Sequence, residues 1–94
     1  MGRNVTRQDP ESINLTNPTD AEERFLILHN DDVNTFDHVI KSLIDVCEHD
    51  PIQAEQCAFI THYNGKCDVR KGLYESLQPI RDGMLQRGLQ VTID

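Results

Sequence analysis

The chain has no tryptophan, few aromatic residues of any kind (5%), and only nine lysines and arginines against sixteen aspartates and glutamates. That shortage of positive charge argues against a phosphate backbone as partner, since a net charge of −7 repels it and the nine cations are scattered. Absent too is any apolar run near the roughly 18 residues of a membrane span, and the amino terminus lacks the apolar centre of a signal peptide. The expected setting is therefore cytoplasmic, with no nucleic acid and no membrane. Cysteine is sparse as well. Cys47, Cys57 and Cys67 are odd in number and evenly spread, which suits neither a disulfide framework nor the short ligand spacing of structural zinc sites. They read as reduced thiols, with no metal and no cofactor implied.

What is present divides the 94 residues into one polar segment and one small domain. Residues 1 to 22 hold only Val5, Ile13 and Leu15 as large apolar groups among many Asn, Thr, Pro and Asp, too little to offset the entropy of ordering. A flexible amino-terminal extension is expected there. Its Met1-Gly2 start with Thr6, and its Asn4-Val5-Thr6 and Asn14-Leu15-Thr16 triplets, match lipidation and glycosylation patterns that arise often by chance, and they are read as noise.

From residue 23 the periodicities are clear. Arg24 to His29 is a short branched and aromatic run expected to form a strand. Phe36, Val39, Ile40, Leu43, Ile44 and Cys47 form one helical stripe, capped by Asn34 or Thr35, which predicts a helix over about 35 to 48. Asp50, Pro51 and Gln53 start a second helix that ends near Tyr63 at the Asn64-Gly65 stop, with Ile52, Phe59, Ile60 and Tyr63 on its apolar side. A brief charged edge strand over Lys66 to Arg70 is expected to break at Gly72. Leu73, Leu77, Ile80 and Met84 predict a third helix, delayed to about Ser76 or kinked by Pro79, before a last strand over Leu89 to Ile93. The expected class is α+β, in the order β-α-α-β-α-β, with three helices gathered on one face of a three-stranded antiparallel sheet.

The chemistry concentrates at Asn30-Asp31-Asp32, two carboxylates and an amide on a short turn between a strand and a helix. An α-ammonium group offers three N–H donors and one charge, and a carboxylate with two neutral acceptors satisfies it. Asp31, Asn30 and a neutral His62 can supply that set, with Phe36, Val39, Ala58 and Thr61 as nearby apolar walls. Taken singly, each has an ordinary structural explanation: an Asx-type turn entering a helix, and a histidine favoured at a helix carboxyl end.

Over about residues 24 to 94 the chain resembles the ClpS adaptor family, which recognises N-degrons and delivers substrates to Clp-type AAA+ unfoldases. The resemblance rests on Leu28-His29-Asn30-Asp31-Asp32 followed by His62-Tyr63-Asn64-Gly65-Lys66 and Cys67. It implies a fold similar to the carboxyl-terminal domain of the ribosomal stalk protein. It also implies that Asn30, Asp31 and His62 hold a substrate's free α-amino group, and that Asn34, Phe36, Val39, Ala58, Thr61 and Leu89 line a pocket for a bulky first side chain. Glu75 would contact the unfoldase's amino-terminal domain, with Arg81, the neighbour of Ile80, as the substitute cation there. Phe36 and Ala58 stand where family members often carry methionine, and Ile80 stands where they carry a contact lysine. The implied protein is a monomeric, non-enzymatic adaptor whose partners are a Clp unfoldase and proteins starting with Leu, Phe, Tyr or Trp. Two other readings stay open: an interaction domain of this fold without an amine pocket, and a small enzyme using Asp31 and His62 as acid and base with Cys67 as nucleophile.

Overall fold

A computed structural model describes residues 22–94, so the expected extension lies outside the described residues but for Glu22. The elements are β1 (Glu23–His29), α1 (Phe36–Cys47), α2 (Pro51–Asn64), β2 (Lys66–Leu73), α3 (Tyr74–Gln86) and β3 (Gln90–Ile93). The order is β-α-α-β-α-β, as expected. β1 runs down the centre of the sheet, antiparallel to β2 on one side and to β3 on the other. Leu26 and Leu28 of β1 face the helices and are buried with Leu43, Cys47, Leu77 and Met84, while Phe25, just before Leu26, stays exposed on the open face.

Local chemistry sets the helix ends. The Thr35 side chain accepts a hydrogen bond from the His38 amide, and Asp50 accepts one from the Gln53 amide with Pro51 in the first turn. Gly65 closes α2 in the left-handed region (φ 95°), its amide donating to the Thr61 carbonyl at 2.9 Å.

Three expectations about the elements need correction. β2 does not break at Gly72 but continues to Leu73, because Gly72 still pairs with Arg24. A register shift opposite Leu26 and Ile27 turns both Val69 and Arg70 toward the helices, where Arg70 Nη1 donates to the Cys47 carbonyl at the end of α1. α3 starts at Tyr74 rather than near Ser76 and takes Pro79 into its interior, at the loss of one backbone hydrogen bond. The inward face of α2 is not the large apolar set: Ala54, Cys57, Ala58 and Thr61 are buried, while Ile52, Phe59, Ile60 and Tyr63 are exposed. Small side chains let α2 approach the core closely, and the bulky ones are left for its outer surface.

Candidate functional site

The acidic turn and the end of α2 are brought together by the backbone. His29 pairs with Lys66 in the sheet, and the amide of Asn30 donates to the Gly65 carbonyl at 2.9 Å. The Asn64-Gly65 stop is therefore fastened to the start of the turn, which sets His62, in the last turn of α2, beside Asn30 and Asp31. A cavity of about 370 Å³ opens there. Asn30, Asp31 and His62 all border it, as do Asn34, Phe36, Val39, Ala58, Thr61 and Leu89. Leu28, His29 and Asp32 complete its wall, and sequence reasoning had given them no role there. The signal for them was adjacency alone, since all three flank or belong to the Asn-Asp pair.

Polarity is graded across the cavity. Ala58 (2% exposed), Thr61 (5%) and Leu89 (1%) are its buried part, and the Thr61 hydroxyl is spent on the Cys57 carbonyl of its own helix at 2.8 Å. Asn30 and His62 are exposed at the rim. The Phe36 ring meets His62 edge-on at 5.7 Å, and His62 meets Tyr63 edge-on at 4.9 Å, so aromatic edges hold the imidazole from two sides.

Asp31 does more than face the cavity. Its Oδ1 accepts from the Val33 and Asn34 amides, both at 2.8 Å, and its Oδ2 accepts from the Asn34 side-chain amide at 2.9 Å. These donors, the Asn34 backbone N–H first, hold its carboxyl below the usual carboxylate range against a smaller opposing effect of burial. The group is thus fixed in place as an anion, with lone-pair capacity left on Oδ2 for another donor. Asn34 is better described as a strut than as lining alone. Its amide also donates to the Gly88 carbonyl at 2.9 Å, and the Nε2–H of His38 donates to the neighbouring Arg87 carbonyl at 2.8 Å. Together they pin the turn before β3 and thereby place Leu89 in the cavity wall.

Glu75 and Arg81 lie elsewhere, on α3. Glu75 is exposed in its first turn, whereas Arg81 Nε donates to Asp82 at 3.2 Å and its Nη1 to the Tyr74 hydroxyl at 3.5 Å. Ile80 is half-buried against the core. Cys67 does not border the cavity. It faces a separate hollow with Phe25, Ile27 and Ile60, and burial pushes its thiol up to about 12, which leaves almost no thiolate at neutral pH. That removes the arrangement in which Cys67 is the nucleophile of an Asp31–His62 pair. No described helix is long and apolar enough to cross a membrane.

Residues 20–92 match the family model described as ATP-dependent Clp protease adaptor protein ClpS. The chain belongs to the ClpS family. Among solved structures, this ClpS-family chain is similar to that reported as the structure of Agrobacterium tumefaciens ClpS2 bound to L-phenylalaninamide. The TM-score is 0.72 at 16% identity, covering 79% of the present chain and 96% of the other. At that identity the likeness speaks for the fold, which the two share from β1 to β3. No curated protein sequence gives a significant match.

Proposed function

We propose that this ClpS-family protein binds polypeptides through a free amino-terminal residue with a bulky apolar side chain and passes them to a Clp AAA+ unfoldase. The observation that carries the reading is one cavity combining a fixed carboxylate, an amide and an imidazole at its rim with an apolar interior. The ammonium group would be met by Asp31, Asn30 and His62, and the side chain would enter between Phe36, Val39, Ala58 and Leu89. An ion pair at the edge of an apolar hollow is screened less than one in open water, so the carboxylate contributes both affinity and selection for a charged amine. The relative carrying L-phenylalaninamide supplies a ligand of the same chemistry, a free amine beside an aromatic side chain. Delivery would use the outer side of α3, with Glu75 exposed in its first turn and Arg81 half-buried further along, as a contact for the unfoldase's amino-terminal domain. The adaptor would act as a monomer in the cytoplasm, without a cofactor and without making or breaking a bond.

Fluorescence anisotropy with labelled peptides tests the site. Peptides starting with free Phe or Leu should bind, and acetylating the amine should abolish binding; equal binding of the acetylated peptide would refute the reading. Asp31→Ala should cost about 10-fold or more, because the ammonium is left unpaired and the turn loses three hydrogen bonds.

A further inference from the structure

Beside the cavity, on the outer face of α2, lies an aromatic surface that neither the core nor the cavity uses. Phe59 is 45% exposed and Tyr63 is 74% exposed, and their rings are parallel within 5° at 6.1 Å. Phe36 joins this surface to the cavity, since it lines the cavity and its ring packs edge-on against Phe59 at 4.9 Å. We infer that Phe59 and Tyr63 form a shelf for the third side chain of the polypeptide whose amino end enters the cavity, and that the shelf favours a large apolar residue there. The inference rests on the function proposed above.

The spacing of an extended chain supports the third position. Alternate side chains fall on one face of such a chain, about 7 Å apart, while the second points the other way. The steps from Phe36 to Phe59 and on to Tyr63 are of that order. Charge supports an apolar occupant. With Asp31 and Asp32 already bordering the cavity and a net charge of −7, an acidic side chain arriving here meets like charge and gains nothing from the ring faces. An aliphatic or aromatic one covers two open rings.

Labelled peptides with free amino-terminal Phe, Ala at position two and Leu, Phe, Gly or Asp at position three provide the test, with a matched series varying position two. Leu or Phe at position three should bind about fivefold tighter than Asp. That ratio should fall close to one in both Phe59→Ala and Tyr63→Ala, which remove exposed rings and whose folding is checked by thermal melts. A ratio within twofold for the unaltered protein overturns the shelf, as does a ratio that survives both variants or a preference confined to position two. If no free-amine Phe peptide binds at all, the cavity reading itself fails, an outcome separate from indifference at position three.

Discussion

Helix α1 turns its large side chains inward and helix α2 turns its large side chains outward, although both supply residues to one core. In α1, Leu43 and Cys47 are fully buried and Val39, Ile40 and Ile44 pack around them. In α2 the inward positions are Ala54, Cys57, Ala58 and Thr61, and Ile52, Phe59, Ile60 and Tyr63 meet solvent. A helix that served packing alone would not leave four large apolar side chains exposed, so α2 is shaped by what it presents as well as by what it covers. Ala58 opens the cavity on its inner side. Phe59 and Tyr63 form the surface beside the rim.

Core truncation gives the sharpest break between the two helices. Leu43→Ala removes a side chain with no exposure and should cost about 3 kcal/mol in urea unfolding. Ile60→Ala removes a side chain that is 43% exposed and should cost under about 1 kcal/mol. Comparable losses from the two would erase the contrast and show that the outer face of α2 is a structural surface after all.

The contrast also explains which features were legible in the sequence. α1 was readable because size and spacing agreed: its apolar residues are both large and periodic. So were the Thr35 and Asp50 caps and the Gly65 stop, which depend only on neighbours in the chain. On α2 size and spacing disagreed. Residues 54, 57, 58 and 61 hold the helical spacing, yet all four are small or polar, and their apolar signal is weaker than that of the larger side chains on the other face. The continuation of β2 past Gly72 and the start of α3 at Tyr74 depend on pairing with β1, which no local signal encodes. Of the site, residues that face the cavity by side-chain type were accessible. The strut from Asn34 to Gly88 spans 54 positions and became visible only once β3 lay beside the turn.

The two helices differ again at the ends that meet the cavity: α1 is entered through the charged Asp31 turn and α2 is left through a glycine. A carboxyl group whose pKa is lower in the folded than in the unfolded chain adds stability above its unfolded value. That stability is lost as pH falls through the folded value. Asp31 is such a group, so urea midpoints should decline on acidification below about pH 4. Asp31→Asn keeps an acceptor for the Val33 and Asn34 amides but has no charge to lose, and its decline over the same interval should be shallower. Parallel curves for the two proteins would mean that the donors around Asp31 favour its charged form no more than water does.

The smallest effect belongs to the glycine end, and its size is what makes it informative. Gly65 sits at φ 95°, and a Cβ placed there meets nothing within 4 Å, so Gly65→Ala adds backbone strain without a clash. The expected loss is about 1 kcal/mol by thermal or urea unfolding, and Gly65→Asn should lose less because asparagine tolerates the left-handed region. The carbonyl of residue 65 accepts from Asn30 whatever its side chain, so the tie between the end of α2 and the acidic turn should survive, and free-amine peptide affinity should change less than twofold. A much larger drop in affinity at this modest cost in stability would mean that the strain is relieved by moving residue 65, and His62 with it, away from Asn30. The cavity rim would then depend on the exact left-handed stop, and the α2 end would be the more finely set of the two.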